Sequence, residues 1–310
     1  MKKNKKKLLI IDSNSVIHRA YHALPPLTTK KGELVNALYG FLLVFLKALH
    51  DFQPDYLAAA FDYPALTFRH KKFKEYKAKR PPTPKELSLQ IPKVKQALKV
   101  FSAAVLEKKG FEADDIIGAI AGRSKIENII LSGDSDIFQL VNPLTKVYFL
   151  KRGVKDISLY DEQAVKEKFQ GLLPEQLIDF KALKGDSADN IPGVSGIGEK
   201  TALILVLQFN NLDNLYKEIK GNSPKSKQIK LKTKEILLRQ EKQAFFSKTL
   251  VKIKKNMPLK FNLEDCSRHN YSQEKAVDFL KKFEFYSLIE KLEKEKPGQE
   301  HLIVANLKLW

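Results

Sequence analysis

Nine acidic residues of this chain occur in a pattern that could bind divalent metal ions. They are Asp12, Asp62, Glu112, Asp114, Asp115, Asp134, Asp136, Asp186 and Asp189. A single acid is more often a helix cap or a solvated surface residue, but carboxylates that share one pocket repel one another unless cations neutralise them. We expect divalent cations, rather than the surplus lysines, to supply that charge. Two Mg²⁺ or Mn²⁺ ions about 4 Å apart could activate a water and stabilise both oxygens of a cleaved phosphodiester. The acids therefore predict metal-assisted phosphodiester hydrolysis.

Short apolar runs at Leu8–Ile11, Tyr56–Phe61 and Asn128–Leu131 have the length of strands, and segments of helical period such as Asn36–Phe52 and Ala113–Ala121 lie between them. This alternation predicts a mostly parallel sheet flanked by helices. A carboxylate follows each predicted strand, at the end where ligands gather in open α/β sheets. After residue 161 the pattern becomes helical. The predicted helices are Glu162–Phe169, Pro174–Leu183, Glu199–Gln208, Lys227–Phe246 and Gln273–Lys291.

Composition limits the class of protein. The 310 residues contain 55 Lys and Arg against 36 Asp and Glu, a formal charge of +19 that favours a polyanionic partner. The single cysteine, Cys266, excludes an intramolecular disulfide and a thiolate metal site, so we expect a reducing cytoplasm. Only four apolar residues follow the basic start, too few for a signal peptide, and Ala37–Leu49 is too short to cross a bilayer. We expect no membrane segment.

Residues 66–99 combine 11 Lys and Arg with interleaved aromatic rings. Helical spacing would place Arg69, Phe73, Tyr76, Lys77 and Arg80 on one face of a helix that the following prolines end, and a second helix would start at Thr83-Pro84. This predicts a basic helical hairpin for single-stranded nucleic acid, because cations follow phosphates and rings stack on unpaired bases. A solvated lysine face is the simpler alternative.

A glycine-rich motif runs from residue 191 to 202, within a segment (185–205) that we call the glycine hairpin. It is not a phosphate-binding P-loop, because Glu199 separates Gly198 from Lys200, and its glycines do not match a dinucleotide-binding fingerprint. A tight glycine turn that opens a helix at Glu199 would present free backbone N–H groups to a phosphate and hold duplex without reading sequence. A simple turn between two helices is the alternative.

Several motifs in one order, over roughly residues 7–292, are similar to those of the 5′ nuclease (flap endonuclease) superfamily, specifically the 5′ to 3′ exonuclease domain of bacterial DNA polymerase I and its free-standing relatives. The motifs are Leu-Ile-Ile-Asp-Ser-Asn-Ser at 9–15, Tyr-Lys-Ala-Lys-Arg-Pro-Pro-Thr-Pro at 76–84, Glu-Ala-Asp-Asp at 112–115, Gly-Asp-Ser-Asp at 133–136, and Gly-Asp-Ser-Ala-Asp-Asn-Ile-Pro-Gly at 185–193.

This resemblance implies roles for named residues. The nine acids match the metal site, and Lys77, Arg80, Asp114 and Asp115 match catalytic residues, the two cations belonging to an arch that grips the scissile phosphate and the 5′ strand. The glycine hairpin resembles a helix-turn-helix (helix-hairpin-helix) clamp for duplex DNA, with K⁺ held by backbone carbonyls near Pro192, Val194 and Ile197. The expected DNA contacts are Arg19, Tyr21, His22, Tyr39, Arg69, Tyr76, Lys77, Arg80, Gly196, Ile197, Gly198, Lys200 and Thr201.

The implied architecture has three parts: a resolvase-like (PIN-like) α/β domain over 1–160 with a helical arch at 66–99, a helical domain over 161–292 with a glycine hairpin at 185–205, and a tail over 293–310. We expect a cytoplasmic, Mg²⁺-dependent flap endonuclease or 5′ to 3′ exonuclease of DNA replication and repair, acting in the nucleoid on flapped duplex or RNA primers. Because the sequence ends at Trp310, a free-standing nuclease or a separately encoded polymerase partner is expected. The alternatives are a non-catalytic junction-binding module and a PIN-like ribonuclease.

Overall fold

The computed structural model describes residues 5–294. The predicted tail lies outside the described residues from residue 295 onward. Six strands form one sheet in the order β3-β2-β1-β4-β5-β6, in which every pair is parallel except β5 with β6. The strands are β1 (Lys7–Asp12), β2 (Tyr56–Phe61), β3 (Ala104–Glu107), β4 (Glu127–Ser132), β5 (Thr145–Arg152) and β6 (Asp156–Tyr160). The predicted mostly parallel sheet is confirmed.

Both faces of the sheet are buried, which explains why β1 reads as an uninterrupted apolar run. Leu8 and Ile10 pack in one core, and Leu9 and Ile11 pack in the other. A strand that is covered on both faces needs apolar residues at every position. The helices of this part are α1 (Ser13–Ala23), α2 (Asn36–Phe52), α3 (Phe68–Lys72), α4 (Lys85–Ser88), α5 (Ile91–Val100) and α6 (Ala113–Arg123).

The rest of the described chain is built of helices, as predicted. They are α7 (Glu162–Lys168), α8 (Gln176–Lys184), α9 (Glu199–Phe209), α10 (Leu212–Lys220), α11 (Leu231–Arg239), α12 (Glu241–Val251), α13 (Gln273–Lys282) and α14 (Tyr286–Lys294). Nowhere in residues 5–294 is a helix both long and apolar enough to cross a membrane.

Two predicted long helices are each broken in the structure. The helix predicted over 227–246 divides into α11 and α12 at Gln240, whose side chain bonds to the backbone N–H and C=O of Ser195. The helix predicted over 273–291 divides into α13 and α14 near Glu284, which has a φ of 61° in the left-handed region. Tertiary hydrogen bonding and a local turn override the helical period at these two points.

The basic segment also differs from the predicted helical hairpin. The first helix, α3, ends at Lys72, and residues 74–79 form turns. Lys77 has a φ of 56°, and its N–H donates to the carbonyl of Asp189 at 2.9 Å. The second helix, α4, is capped by Pro84 and not by Thr83. This contact with the Asp189 backbone holds the chain in a turn where helical spacing predicts a continuous helix.

The glycine hairpin is held by a close approach between two backbone segments. Gly185, which ends α8, and Gly193 both have positive φ, 80° and 64°. A β-carbon on Gly193 would lie 2.3 Å from the Gly185 nitrogen. Only glycine fits there, and this contact fixes the intervening loop that carries Asp186 and Asp189.

We therefore expect Gly193→Ala to lower the free energy of unfolding by more than about 2 kcal/mol. Urea denaturation followed by circular dichroism measures this. The control is Gly122→Ala in α6, where a β-carbon would meet nothing within 4 Å. There the free energy of unfolding should stay the same or rise by less than about 1 kcal/mol. Equal effects of the two substitutions would contradict the close approach.

Cys266 should be inert in the folded protein. Its side chain is 1% exposed, and burial together with Asp265 raises the pKa of the thiol to about 12. The thiol is therefore protonated at pH 8, whereas an unfolded cysteine titrates near 8.5. We expect a thiol reagent at pH 8 to react at least about 10³-fold faster in 8 M urea than in buffer. Similar rates in both would show that this residue is accessible.

Candidate active site

Three parallel strands end side by side, and each places an acid at the same edge of the sheet. Asp12 ends β1 and caps α1, accepting from the Ser15 N–H at 3.2 Å and from the Ser132 hydroxyl at 2.6 Å. Asp62 follows β2 and accepts from the Ala113 N–H at 2.8 Å. Local capping thus fixes the side chains in the directions that the site requires.

Two further turns complete the acidic edge. Asp134 follows β4 and accepts from the Asp136 N–H at 2.9 Å as the cap of a 3-10 helix, Ser135–Leu140. Glu112 caps α6, so Asp114 and Asp115 lie in the first turn of that helix. Acids are favourable at both positions because helix N-termini carry partial positive charge.

These acids open into one crevice of about 1140 Å³. Cations and imidazoles from α1 and from the basic segment face the acids across it. The charged and imidazole residues that line it are Asp12, His18, Arg19, His22, Asp62, Lys77, Arg80, Glu112, Asp114 and Asp134. The crevice therefore combines carboxylates at its sheet edge with a cationic rim.

Four of the acids have no cationic partner among residues 5–294: Asp12, Asp62, Asp114 and Asp134. Burial, Asp134 and Asp62 raise the pKa of Asp12 to about 7. Burial, Asp134 and Asp12 raise the pKa of Asp114 well above its usual range. These shifts reflect burial of the carboxylates and repulsion between them, which Lys77 only partly offsets at Asp114.

The other five acids are paired with cations, against our expectation that lysine would not neutralise them. Lys181 of α8 bonds to Asp136 and, at 2.7 Å, to Asp186. Lys77 lies 3.1 Å from Glu112, and Arg80 bonds to Asp189. The acidic cluster is thus divided into an unpaired group on the sheet edge and a paired group around it.

The unpaired group fits hydrated divalent cations. Within the described part of the chain, no three Asp, Glu, His or Cys side chains are arranged to hold one ion. Mg²⁺ keeps several waters and uses one or two carboxylates together with substrate phosphates. Oxygen donors that lack cationic partners and face an open crevice match that requirement, and burial also raises the pKa of Asp12, Asp62 and Asp114.

Asp115 does not face the crevice, which corrects its assignment as a metal ligand. Its side chain is fully buried and forms a two-pronged ion pair with Arg69, with nitrogen to oxygen distances of 2.8 and 2.9 Å. Arg69 is 2% exposed. It cannot line a DNA path from that position, because its guanidinium lies in the interior.

Of the aromatic and basic residues expected to contact DNA, some lie in the interior and others line the crevice. Tyr76 is 3% exposed, and its hydroxyl lies 3.1 Å from both Glu112 and Asp189, so it cannot stack on bases as placed. The Tyr39 hydroxyl bonds to Ser287 of α14. Arg19 lines the crevice and donates to the carbonyl of Gly133 at 2.9 Å. His22 is exposed at the rim, and Tyr21 packs edge-on against it.

The glycine hairpin presents backbone rather than side chains. Gly198 precedes α9 without a side-chain cap, so the first N–H groups of this helix, including those of Lys200 and Thr201, are available. Gly196 is exposed, whereas the side chains of Val194 and Ile197 are buried. The remaining proposed K⁺ contact, Pro192, is exposed. The roles in duplex and K⁺ binding stay predictions.

Sequence reasoning missed three polar residues at the site. Lys181 neutralises acids from two different turns, one of them 45 residues away along the chain. Ser132 and Ser15 hold Asp12, and the Ser15 hydroxyl also accepts from the Gly133 N–H at 3.0 Å. Only the position of Ser132, directly before the Gly-Asp turn, offered a local signal.

Comparison with known protein families shows to which family this chain belongs. A family model described as "5'-3' exonuclease, N-terminal resolvase-like domain" matches residues 7–170, and one described as "5'-3' exonuclease, C-terminal SAM fold" matches residues 172–274. The chain belongs to the 5′-3′ exonuclease family. This confirms the family that the sequence motifs indicated, together with its resolvase-like and helical parts.

The relatives of this 5′-3′ exonuclease family member include longer proteins. It is 41% identical over 302 residues to DNA polymerase I of Bacillus caldotenax, covering 96% of this chain and 33% of that protein. It is 39% identical over 299 residues to DNA polymerase I of Bacillus subtilis (strain 168), with the same two shares. The chain thus spans about a third of the length of these curated relatives.

Solved structures share the fold of this family member. The T5 D15 protein co-crystallised with metal ions matches with a TM-score of 0.64 at 20% identity, covering 93% of this chain and all of that one. The catalytic core of Rad2 in complex with a DNA substrate matches with a TM-score of 0.58 at 15% identity, covering 94% and 93%. At these identities the likeness establishes the architecture alone.

Proposed function

We propose that this chain is a structure-specific 5′ nuclease, which hydrolyses phosphodiester bonds of DNA where a 5′ single strand meets duplex. The observation that carries the proposal is the crevice in which unpaired Asp12, Asp62, Asp114 and Asp134 face Lys77 and Arg80. Membership of the 5′-3′ exonuclease family supports it. Two structural neighbours, the T5 D15 flap endonuclease in a complex with DNA and metal ions and the catalytic core of Rad2 in complex with a DNA substrate, also support it.

The four unpaired acids would hold the metal ions, which we propose to be Mg²⁺ or Mn²⁺. When bound, such ions lower the pKa of water and stabilise negative charge on phosphodiester oxygens. Asp12 and Asp62 are fixed by serine and backbone donors, so their carboxylates keep their direction without substrate. The paired acids Asp136, Asp186 and Asp189 would act less directly, through their lysine and arginine partners.

Lys77 and Arg80 would orient the scissile phosphate. Their positive charges stand at the rim of the crevice, within contact distance of Glu112 and Asp189. A phosphate that enters the crevice gives these cations an alternative anion, and a preformed cation stabilises the charge that develops during hydrolysis. His22 and Arg19 would line the same approach.

The glycine hairpin would hold the duplex next to the crevice. Backbone N–H groups at the start of α9 offer anion contacts that are independent of sequence, and the net charge of +19 supplies general attraction to nucleic acid. We further propose a K⁺ site at this hairpin, a role in DNA replication and repair in the cytoplasm, and action beside a DNA polymerase.

The test is cleavage of a 5′-labelled DNA flap with and without Mg²⁺. We expect cleavage at the junction with Mg²⁺ and none with EDTA. Binding without cleavage under all metal conditions would indicate a junction-binding module. Preference for single-stranded RNA over the flap would indicate a PIN-like ribonuclease.

A further inference from the structure

The last two residues of α12 and the three residues after it, 250–254, are hydrogen-bonded by three side chains from other elements. Arg69 donates to the carbonyls of Leu250, at 2.8 Å, and Lys252, at 3.0 Å. The Gln139 amide donates to the carbonyl of Val251 at 3.2 Å and accepts from the Ile253 N–H at 2.9 Å. The Asp115 carboxylate accepts from the Lys254 N–H at 2.8 Å. Backbone groups at the end of α12 and just after it, which no longer have helical partners, are thereby hydrogen-bonded to buried side chains.

Both oxygens of Asp115 are used within this arrangement. Oδ1 accepts from Arg69 and from the Lys254 N–H, and Oδ2 accepts from Arg69 and, at 3.1 Å, from the Glu112 N–H. An arginine–carboxylate pair with two parallel hydrogen bonds fixes the relative orientation of the two side chains and also neutralises their charges. Asp115 therefore has a complete set of protein partners, in contrast to Asp114 on the same helical turn.

The three side chains belong to elements that carry the site. Arg69 lies on α3 at the base of the basic segment, and Asp115 lies in the turn of α6 that bears Glu112 and Asp114. Gln139 lies on the 3-10 helix that bears Asp136. The 250–254 segment leads out of α12, which belongs to the helical part. These contacts connect the basic segment, two acidic turns and the helical part.

We infer that Arg69 and Asp115 are positioning residues, which fix the first turn of α6 against the 250–254 segment so that Glu112 and Asp114 point into the crevice. Neither residue binds metal or DNA. The inference rests on the proposed nuclease function. A buried ion pair adds little stability over apolar residues of similar size. We therefore assign this pair the role of fixing the orientation of the first turn of α6.

The experiment compares Asp115→Asn, Arg69→Met and the double variant R69M/D115L in thermal unfolding and in single-turnover flap cleavage. We expect each single variant to lower the melting temperature and slow cleavage about 10- to 100-fold. The double variant should recover part of the melting temperature that Arg69→Met loses, because no charge then stays buried without a partner, but its cleavage should stay slow. The inference would be overturned if the loss of cleavage rate in the double variant equalled the product of the two single losses. It would also be overturned if the folded double variant cleaved at the wild-type rate.

Mn²⁺ binding without DNA, measured by electron paramagnetic resonance, separates positioning from metal ligation. We expect D115N to weaken Mn²⁺ binding by less than D114N does, because Asp115 affects the proposed ligands only through the first turn of α6. A loss of Mn²⁺ affinity in D115N as large as that in D114N would make Asp115 a ligand and overturn the inference. Failure of the wild-type protein to cleave a flap with Mg²⁺ would instead refute the proposed function.

Discussion

Asp114→Asn is expected to slow flap cleavage by at least about 10³-fold while leaving the fold intact. Asp114 faces the crevice without a cationic partner, and its pKa is raised by burial and by Asp134 and Asp12. As a proposed metal ligand, Asp114 should matter more than a residue behind it, whose replacement costs about 10- to 100-fold. Removing a repelled charge should keep or raise the melting temperature.

Single-turnover cleavage, with flap binding measured in Ca²⁺, checks this expectation. The Asn side chain keeps the shape of Asp, so binding should change by less than about fivefold. Turnover within tenfold of wild type would remove Asp114 from the metal site. A lower melting temperature would show that its charge is stabilising in the folded protein, contrary to the geometry of the crevice.

Lys77→Ala is expected to have the second largest effect, lowering the single-turnover rate by about 10²-fold or more. The ammonium of Lys77 lies 3.1 Å from Glu112 and 3.8 Å from Asp189, at the rim where a phosphate would enter. A cation held in place by two acids and by its own backbone turn acts on the reacting phosphate more than on overall affinity. Flap binding should weaken by less than about fivefold.

The matched control is Lys79→Ala. Lys79 belongs to the same basic turn and is exposed, and it forms no ion pair within residues 5–294. Its replacement removes the same charge and should lower the rate by less than about fivefold. Equal losses of rate and of binding in Lys77→Ala would mean that this lysine only tethers DNA.

The sequence predicted the acidic edge because it depends on local features. Asp12, Asp62 and Asp134 each follow an apolar run, and parallel strands bring such positions together whatever the surrounding contacts are. The first turn of α6 is likewise readable from Glu112 and the two acids after it. The roles of these residues as metal ligands stay predictions.

The parts that could not be predicted depend on partners that are distant in sequence. The sequence pattern makes Arg69 one more cation of a basic segment, but contacts with Asp115, 46 residues later, and with the 250–254 segment hold it in the interior. The break at Gln240 depends in the same way on Ser195. The turn at Lys77 depends on the Asp189 carbonyl, which no periodicity of residues 66–99 encodes. Helical period alone favours a longer helix at each place.

The order of the strands in the sheet explains why the crevice lies beside Asp12. From β1 the chain adds β2 and β3 on one side and then returns to place β4 on the other side of β1, so the winding direction reverses beside Asp12. Connections that depart in opposite directions leave an opening between them at the strand ends. The opening is therefore a product of backbone path, and its walls should persist when individual acids are exchanged for neutral residues of equal size.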